Sequence, residues 1–392
     1  MPWKRHPFRG RDVTRALNIA DLREIARRCV PGFVFEYVEG GAEDEVTLRG
    51  NREAFSRLRF LPQTLIDTSR RHQRTTILGR MADAPLIIAP TGLGGLLHPD
   101  GDAVLARAAA KYGIPYVLST VSTTRLEDLV NRVGGRLWMQ LYVVKDRAIG
   151  RDIVRRAAAA GFEALVFTSD ANVFGNREWD QRGYRRPGRL TARALLDALG
   201  HPRWAWEVLL RHGMPRFRNL ESFLSPSAVT PMGASTVIPQ LFDATICWDD
   251  LGWIRDLWRG KLIIKGVLTA ADAERAVSLG VDGIVVSNHG GRQLDSCVAS
   301  IDVLPEIVRT VGGRAAIIID SGFRRGTDVV KALALGAQAV MLGRATLYGL
   351  IAGGETGVER ALAILTSEID RVLGQLGCNS VADLKAELVR RV

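Results

Sequence analysis

From residue 84 onward, short apolar runs alternate with amphipathic helical patterns along the chain. This alternation predicts repeated strand–helix units and a parallel sheet. The predicted strands cover residues 85–89, 114–119, 137–143, 164–168, 262–265, 283–287, 315–319 and 339–342. Because eight such units close a barrel, the predicted fold is an α/β (β/α)8 TIM barrel, with a doubly wound open sheet as the alternative.

Several helical segments between these strands end in the residue type that closes helices. Helices are predicted at 102–112, 147–160, 270–279 and 327–335, and the glycines that follow them are Gly113, Gly161, Gly280 and Gly336. A glycine in this place adopts the left-handed conformation that ends a helix. Each of these glycines is followed within a few residues by a predicted strand, which supports the repeated unit.

Two regions lie outside the eightfold rhythm. Residues 1–83 form a predicted N-terminal extension with one helix at 19–38, capped by Asn18 and closed by Gly40-Gly41. We expect this extension either to plug the bottom of the barrel or to fold over its mouth. The barrel is assigned to residues 84–377 and a C-terminal tail to residues 378–392.

The second region is a long insertion after the fourth strand, at about 171–245. Connections of this length are usually lids, binding segments or disordered. The insertion carries Trp204 and Trp206 among many arginines, a combination typical of segments that lie in a membrane interface. A lid helix that packs on the barrel and exposes its arginines to solvent explains the same pattern.

Charge and cysteine content restrict the class of partner. The formal charge of the 392-residue chain is +11, which favours anionic partners such as small acids, phosphates, nucleic acid or an anionic bilayer. An arginine-rich choice of surface residues would give the same charge. The four cysteines are far apart and predict neither a disulfide framework nor a metal site. No apolar run approaches a membrane span or a secretory signal, so a cytoplasmic protein is expected.

Polar residues are concentrated where the predicted strands end, which is where barrels of this kind form catalytic sites. In chain order they are Pro90-Thr91-Gly92, Ser119-Thr120, Gln140 with Tyr142, Thr168-Ser169-Asp170, Lys265, Ser287 with His289, Asp320-Ser321-Gly322 and Gly343-Arg344. Glycine and arginine after strands seven and eight are typical of a phosphate site. Lys265 could form a Schiff base, bind that phosphate or stabilise an anionic cofactor.

The loop after strand six, residues 287–295, combines a histidine with an arginine. His289 offers a base near neutral pH, and Arg292 offers a fixed positive charge for an anion. Gly290 and Gly291 let a flat or charged ligand approach the backbone closely. On these residues alone, a loop histidine held by backbone groups is the alternative.

With these motifs the chain resembles the FMN-dependent L-2-hydroxy-acid oxidases and dehydrogenases, most closely the members that act on mandelate and next those that act on lactate. The motifs SNHGGRQLD (287–295) and DSGFRRG (320–326) carry the resemblance, which extends from residues 35–45 to residues 343–349. It implies oxidation of an L-2-hydroxy acid to the 2-keto acid with FMN as cofactor. A flavin-dependent isomerase and an anion-binding or nucleic-acid-binding protein are the competing functions, although no nucleic-acid-binding module is recognised.

The resemblance implies a role for each strand-end residue. The expected contacts of FMN are Pro90, Thr91, Gly92, Ser119, Gln140, Thr168, Lys265, Ser287 and Asp320 along the ring system and ribityl chain, and Gly322, Arg324, Gly343 and Arg344 at the phosphate. Lys265 is expected near the flavin, where a positive charge favours the anionic reduced form.

The same resemblance implies a substrate site. Its expected contacts are Tyr37, Arg177 and Arg292 at the carboxylate, Tyr142 at the 2-hydroxyl and Val121 beside the substrate side chain. His289 is the expected base, with Asp170 orienting its imidazole. It could remove either the α-proton or the hydroxyl proton, and both routes fit the residues. The structural alternatives are a core position for Tyr37 and a helix-capping role for Asp170.

Two positions bear on substrate and oxidant. Val121 stands where short-chain oxidases of the family carry tryptophan, which implies room for medium or aryl acids, with mandelate expected first and lactate second. Gly92 stands where many oxidases carry alanine, which favours a quinone or another carrier over oxygen as acceptor, an oxygen-using oxidase being the alternative. Residues 190–225 could then dock the enzyme peripherally on the cytoplasmic face of the inner membrane. A homotetramer is also implied.

Overall fold

A closed barrel of eight parallel strands forms the centre of the computed structural model, which describes residues 8–186, 189–230 and 240–392. Counted one to eight in chain order, the barrel strands are Leu86–Ile88, Tyr116–Leu118, Leu137–Leu141, Ala164–Thr168, Lys261–Val267, Gly283–Val286, Ala316–Ile319 and Ala339–Leu342. Strand eight pairs with strand one and closes the barrel. The (β/α)8 prediction is therefore confirmed, all eight predicted strands are present, and the open-sheet alternative is excluded.

Helices cover the outside of the barrel, one after each strand. They are Gly101–Lys111, Leu126–Arg132, Arg147–Ala159, Asp250–Leu257, Ala270–Ser278, Ser300–Val311, Gly326–Ala334 and Arg344–Leu376, with a short turn of helix at Gly94–Leu97. The four helices predicted from sequence match to within one residue at each end. The glycines that follow them have positive φ, from 59° to 102°, as a left-handed helix end requires. The last helix bends at Gly353 and Gly354, where the backbone leaves helical geometry.

The prediction of one helix over 19–38 is wrong. The structure has two helices there, Ile19–Ala26 and Gly32–Glu39. Pro31 separates them, because proline has no N–H to donate and its ring collides with the preceding turn of a helix. Apolar residues continue on both sides of Pro31, and this continuity suggested a single helix. The cap by Asn18 is present, since its Oδ1 accepts from the Asp21 N–H at 2.9 Å.

Different parts of the N-terminal extension reach the two ends of the barrel. A hairpin, Thr75–Ile77 with Arg80–Ala82, places Ile77 and Leu78 among the side chains that fill the barrel interior. Arg136, just before strand three, donates to the Ile77 carbonyl at 2.8 Å. The helix Gly32–Glu39 instead contributes to the cavity at the opposite end. The hairpin therefore plugs the bottom of the barrel, and the helix Gly32–Glu39 lies at its mouth, so each of the two expected positions is taken by a different segment of the extension.

The remaining elements tie the ends of the chain together and build the insertion. The extension also contains the 3-10 turn Val13–Arg15, the helix Val46–Ser56 and the strand Leu58–Phe60. That strand pairs antiparallel with the C-terminal strand Val389–Arg391. The C-terminal strand is preceded by the turns Val381–Asp383 and Ala386–Leu388. The insertion contains the helices Glu178–Arg182, Ala192–Leu199, Pro202–Trp204 and Ala205–Leu210 and the strand pair Tyr184–Arg186 and Arg189–Leu190. Its residues 187–188 and 231–239 lie outside the described residues.

Candidate active site

A cavity of about 750 Å³ opens at the carboxyl ends of the barrel strands. The predicted site residues that line it are Tyr37, Pro90, Thr91, Gly92, Ser119, Val121, Tyr142, Thr168, Arg177, Lys265, His289, Arg292, Asp320, Gly322, Arg324, Gly343 and Arg344. Three others, Asp170, Gln140 and Ser287, do not line the cavity but hydrogen-bond to residues that do. The fold thus brings every predicted strand end to one place.

His289 lines this cavity, and hydrogen bonds to Asp170 and Ser287 hold it in place. Its Nδ1 lies 2.8 Å from Asp170 Oδ1, and its backbone N–H donates to Ser287 Oγ at 3.0 Å. A carboxylate at that distance holds the proton on Nδ1 and leaves Nε2 as the acceptor. Burial lowers the pKa of His289 below its ordinary value, although the charge of Asp170 opposes this. The ring is therefore suited to act as a neutral base.

Asp170 is an ionised partner for that imidazole. Burial disfavours its charge, but the positive charges of His289 and Lys265 outweigh burial and hold the pKa of Asp170 below its ordinary value. The Oδ2 atom of Asp170 is buried without a hydrogen-bond partner among the described residues. An anionic carboxylate here orients the histidine and stabilises the imidazolium that forms when it accepts a proton.

Tyr142 is the hydrogen-bonding neighbour of His289 on the cavity side. Its hydroxyl lies 3.3 Å from His289 Nε2, and the two rings stack with centres 6.4 Å apart. Burial raises the pKa of Tyr142 to about 12, and the charge of Asp170 adds to this. The phenol therefore stays protonated and can donate either to Nε2 or to a ligand oxygen that reaches the same place.

Lys265 provides a buried positive charge in the floor of the cavity. Its Nζ lies 3.0 Å from Asp320 Oδ2 and donates to Ser287 Oγ at 2.7 Å. Burial alone would lower the pKa of Lys265, but the charges of Asp320 and Asp170 raise it above the ordinary value. A lysine held charged in this way is a poor Schiff-base nucleophile and a good partner for an anionic group.

Gln140 organises polar side chains without reaching the cavity. Its Oε1 accepts from Ser119 Oγ at 3.2 Å and from the Thr120 N–H at 3.1 Å, and its Nε2 donates to Thr168 Oγ1 at 3.0 Å. The amide therefore fixes which way the hydroxyls of Ser119 and Thr168 point. In this structure its place is behind the lining residues rather than among them.

Arg177 and Arg292 form a pair of partly buried cations in the cavity wall. Arg177 Nε donates to the Arg292 carbonyl at 3.1 Å, and its Nη2 donates to Gln293 Oε1 at 3.2 Å. Arg292 Nη1 donates to the Gly40 carbonyl at 2.6 Å. Burial, together with the charge of Arg292, lowers the pKa of Arg177 to about 10. Two guanidinium groups that repel one another in a partly buried place form a site for an anion.

Tyr37 lies beside this pair and next to Gly92, the position that bears on the electron acceptor. Gly92 in turn lies next to Val121, the position that bears on substrate size. The Tyr37 hydroxyl donates to the Gly92 carbonyl at 3.2 Å, and the Arg292 guanidinium lies 5.5 Å from the centre of the Tyr37 ring. A Cβ atom on Gly92 would come within 2.8 Å of Val121 Cγ2 and 3.2 Å of the Tyr37 hydroxyl oxygen. Close packing of Val121 and Tyr37 is therefore sufficient reason for glycine at position 92.

The loops after strands seven and eight form the predicted phosphate end of the cavity. Gly322 has a φ of 87°, and a Cβ atom there would lie 2.6 Å from the Asn51 carbonyl oxygen. Arg324 is held by a bond from its Nη1 to the Phe323 carbonyl at 2.8 Å. Gly343 precedes the first turn of the helix Arg344–Leu376, and the free N–H groups of a first turn favour an anion.

The guanidinium of Arg344 is hydrogen-bonded to three backbone carbonyls. Its three nitrogens donate to Val38, Gly290 and Gly40, each at 2.8 Å. These bonds fasten the N-terminal extension to the loop that carries His289. At position 344, the backbone N–H of the helix start is therefore better placed than the guanidinium to serve a phosphate.

The loop of residues 287–295 is held by the N-terminal extension. Asn288 and Asn51 exchange side-chain hydrogen bonds of 2.9 and 2.7 Å. The carboxylate of Asp295 accepts from the N–H groups of Val46 and Thr47 at 3.1 and 2.8 Å, and so caps the helix Val46–Ser56. The first and last parts of the motif are therefore structural, and they fix the middle part that carries His289 and Arg292.

The cavity residues missed from sequence include Phe174, Asp180 and Phe242. Phe174 and Phe242 come from the two ends of the insertion, and their rings meet with centres 5.7 Å apart. No local pattern could have joined residues so distant in the chain. Asp180 had a weak signal, since it lies three residues after Arg177, a spacing that places two side chains on the same face of a helix.

The insertion also presents a second surface, away from the cavity. Leu195, Leu196, Leu199, Trp206 and Leu210, which we call the insertion face, are 54–75% exposed. The opposite sides of the same helices pack on the barrel, where Trp204 is buried and its Nε1 donates to the Leu96 carbonyl at 2.9 Å. The segment is therefore both a packed lid and an exposed apolar surface. Among the described residues, no helix is long and apolar enough to cross a bilayer.

The cavity fits the flat, anionic cofactor that the resemblance implies. Thr91 Oγ1 lines the cavity and is buried without a hydrogen-bond partner among the described residues. Lys265 supplies a buried cation, and Gly322 and Arg324 supply an open backbone and a positive charge at the phosphate end. An unpaired hydroxyl of this kind indicates a missing polar partner.

Comparison with known proteins agrees with this geometry. Residues 26–391 match the family described as FMN-dependent dehydrogenase. The chain is 46% identical over 374 residues to (S)-mandelate dehydrogenase of Pseudomonas putida, covering 95% of this chain and 93% of that protein. It is 41% identical over 376 residues to L-lactate dehydrogenase of Xanthomonas axonopodis pv. citri, covering 95% and 96% of the two chains.

A solved structure gives the same result. The crystal structure described as the monotopic membrane protein (S)-mandelate dehydrogenase superposes with a TM-score of 0.91 at 44% identity, covering 96% of this chain and 100% of the other. The likeness therefore includes the extension and the insertion as well as the barrel.

Proposed function

Since the chain belongs to the FMN-dependent dehydrogenase family, we propose that it oxidises an aryl L-2-hydroxy acid and passes the electrons to a quinone or a similar carrier. FMN is its cofactor, and oxidation of an L-2-hydroxy acid to the 2-keto acid is its reaction. When bound, FMN accepts the two electrons that the substrate loses. One observation carries the proposal: His289, held by Asp170, lines the same cavity as the Arg177–Arg292 pair.

The arginine pair is the proposed site of the substrate carboxylate. A planar carboxylate matches the forked donors of a guanidinium. Its negative charge would offset the burial and the charge of Arg292 that lower the pKa of Arg177. Tyr37 stays protonated, because burial raises its pKa, so its hydroxyl can donate to the same carboxylate. These contacts would fix the acid with its α-carbon and hydroxyl directed into the cavity.

His289 and Tyr142 are the proposed groups for proton transfer. The neutral Nε2 of His289 would take a proton from the substrate, and Asp170 would stabilise the resulting imidazolium. Tyr142, as a protonated phenol, would donate to the substrate oxygen on which charge develops. Its distance of 3.3 Å from Nε2 places donor and base on the same side of the cavity.

The residues that would hold FMN surround these groups. Pro90, Thr91 and Gly92 would face the ring system, and Lys265 would place its fixed charge where the reduced cofactor becomes anionic. Ser119 and Thr168, oriented by Gln140, would bond the polar edge, and Ser287 would support Lys265. Asp320 would bind the ribityl chain, and the proposed phosphate contacts are Gly322, Arg324, Gly343 and Arg344.

Apolar side chains support an aryl substrate. Val121 lines the cavity with a side chain smaller than tryptophan, and Phe174 and Phe242 line the same cavity. Phe242 meets Tyr142 edge to face with ring centres 5.3 Å apart, an arrangement that aromatic groups prefer. A phenyl substituent would extend this aromatic cluster, whereas the methyl group of lactate would leave much of it uncovered.

The insertion face is the proposed contact with a bilayer, and the proposed binding partner is an anionic phospholipid surface. Five large apolar side chains point outward, and Arg193, Arg203 and Arg211 are exposed beside them. This combination favours the interface of an anionic membrane, where quinones are dissolved. The solved mandelate dehydrogenase is described as monotopic, which supports peripheral attachment here. The cytoplasmic face of the inner membrane is the proposed side of that attachment. The implied homotetramer stays a prediction that light scattering on the purified protein tests.

Anaerobic spectroscopy tests the proposed reaction. The purified protein should show flavin absorbance, and L-mandelate should bleach it faster than L-lactate. Reoxidation should be fast with a soluble quinone analogue and slow with air. Failure of every L-2-hydroxy acid to bleach the flavin would refute the reaction, a preference for lactate would refute the aryl substrate, and fast reoxidation by air would indicate an oxidase.

Co-sedimentation with vesicles tests the membrane contact. Leu196→Glu with Leu199→Glu should abolish binding to vesicles that contain anionic phospholipid, because both side chains are exposed and their replacement leaves the barrel intact. Leu17→Glu changes an equally exposed leucine outside the insertion and should leave binding unchanged. Equal binding of all variants would exclude the insertion face as the contact. Deleting residues 190–225 is a poorer test, since Trp204 and Phe217 within it are buried.

A further inference from the structure

Asp180 is a carboxylate placed within the group of arginines that lines the cavity. It lies on the short helix Glu178–Arg182. Its Oδ2 is 3.5 Å from Arg292 Nη2, longer than the roughly 2.7–2.9 Å of a close charge-assisted hydrogen bond. Its Oδ1 is buried without a hydrogen-bond partner among the described residues. Asp180 is thus near the cations but only loosely bound to them.

The groups around Asp180 come from four parts of the chain. The charged or titratable groups that face it are Arg177 and Tyr184 on its own segment, Arg292 in the loop after strand six, Arg344 on the last helix, and Glu36 and Tyr37 on the helix Gly32–Glu39. Burial raises the pKa of Asp180 above its ordinary value, although Arg292, Arg177 and Arg344 oppose this. Its negative charge is therefore tolerated but not strongly stabilised.

A substrate carboxylate would compete with Asp180 for the same cation. In the proposed binding mode that carboxylate bonds Arg177 and Arg292, so a second negative charge enters next to Asp180. Two carboxylates that share a site do not both stay ionised without cost, and one of them takes up a proton. The carboxyl of a 2-hydroxy acid is intrinsically acidic and would gain the forked bonds, so Asp180 is the group that should be protonated.

We propose that Asp180 is a resident counter-ion of the Arg177–Arg292 pair, that the substrate carboxylate displaces it from Arg292, and that it takes up one proton from solvent as the substrate binds. This inference rests on the proposed function, because it needs a carboxylate at the arginine pair. Asp180 is a positioning residue in this scheme. It partly neutralises the empty site, and it makes substrate binding tighter as the pH falls, because its protonation removes the competitor.

Calorimetry of the FMN-loaded protein measures this proton directly. The background variant is His289→Gln, which should bind L-mandelate and oxidise it too slowly to contribute to the binding heat. The substitution also removes the titration of the imidazole. Binding heats in two buffers of different ionisation enthalpy give the number of protons taken up. We expect a measurable fraction of a proton per site, larger at about pH 6 than at about pH 8.

Two further variants in that background identify the group. Asp180→Asn should remove the proton uptake and make mandelate binding tighter and nearly independent of pH. Glu178→Gln removes the same charge from an exposed place on the same short helix and should change neither quantity. Unchanged proton uptake in the Asp180→Asn protein would overturn the inference, and so would equal loss of uptake in the Glu178→Gln protein.

A second measurement uses protein that keeps Asp180, so its result does not depend on whether the Asp180→Asn variant folds. An infrared difference spectrum of the His289→Gln protein should gain a protonated-carboxyl band when mandelate is added, and absence of that band would overturn the inference. Failure of the proposed function has a different signature. In that case mandelate would give no binding heat, and the wild-type flavin would not be reduced.

Discussion

An arginine at the bottom of the barrel is buried and two at its mouth are partly buried, and their partners differ. At the bottom, Arg136 makes two bonds with Glu163, at 2.9 and 2.6 Å, and further bonds with carbonyls of the hairpin. At the mouth, the partners of Arg177 among the described residues are the Arg292 carbonyl and the Gln293 amide oxygen, and Arg177 lies beside Arg292. The bottom is therefore neutralised within the fold, whereas the mouth keeps positive charge in excess.

The arginine at the bottom therefore contributes to the stability of the fold, whereas the arginines at the mouth contribute to ligand binding. A buried ion pair with complete hydrogen bonding holds its elements in place, and removing one partner leaves an uncompensated charge. A partly buried cation whose charge is only partly neutralised by a carboxylate stores unfavourable energy that an anionic ligand relieves. Binding of an anionic ligand is therefore expected to stabilise the mouth of the barrel and not its bottom.

The largest expected effect is at the mouth, for His289→Gln. Loss of the base should slow flavin reduction by L-mandelate by about 10²- to 10⁴-fold, the usual contribution of a positioned acid or base. Anaerobic stopped-flow spectroscopy measures the rate. The flavin spectrum and the thermal midpoint should match those of the wild type, and a rate within a few fold of the wild type would exclude His289 as the base.

A loss of stability is expected at the bottom, for Arg136→Met. Glu163 would remain buried without its main partner, which should lower the free energy of unfolding by about 3–5 kcal/mol. Urea denaturation measures this change, and kcat/KM of the folded protein should not change. Arg80→Met is the matched control, because Arg80 contacts the same carboxylate at 3.3 Å but is 63% exposed, and it should cost at most about 1 kcal/mol. Equal losses would contradict the comparison.

A smaller effect on binding is expected at the mouth, for Arg177→Met. Loss of a charged hydrogen-bonding partner should raise KM for L-mandelate about 10- to 100-fold, corresponding to about 1.5–3 kcal/mol. Stability should be unchanged or higher, because the variant removes a cation whose pKa is lowered by burial and by the charge of Arg292. Steady-state kinetics with a quinone analogue and thermal denaturation measure the two quantities. A loss of stability like that of Arg136→Met would show that the two ends do not differ.

The smallest effect is a shift in pH dependence. Burial lowers the pKa of His289, so the acid limb of kcat/KM should lie below the ordinary histidine value of about 6.5. The charge of Asp170 opposes this lowering, so Asp170→Asn should move the limb to still lower pH while kcat falls. A profile of kcat/KM against pH for both proteins tests the sign, and a shift to higher pH would refute the assigned pairing.

The sequence was a good guide wherever a local pattern had one physical solution. Eight apolar runs separated by amphipathic helices gave the barrel, because buried parallel strands need apolar residues on both faces. The helix predicted over 19–38 failed, because apolar periodicity was given more weight than Pro31. The resemblance supplied the site residues, and the fold brings them to one cavity, but the local pattern alone left His289 as a base or a structural loop residue.

What the sequence determined by itself is the barrel, the order of its strand ends and the chemical types of side chain at each of them. Only the tertiary structure decided which charges are neutralised. Neither the pairing of Arg136 with Glu163 nor the place of Asp180 beside Arg292 follows from spacing, since residues 112 positions apart meet in the latter pair. The pKa of a buried group depends on every charge within a few ångströms, and those neighbours are assembled only when the extension and the insertion close over the barrel.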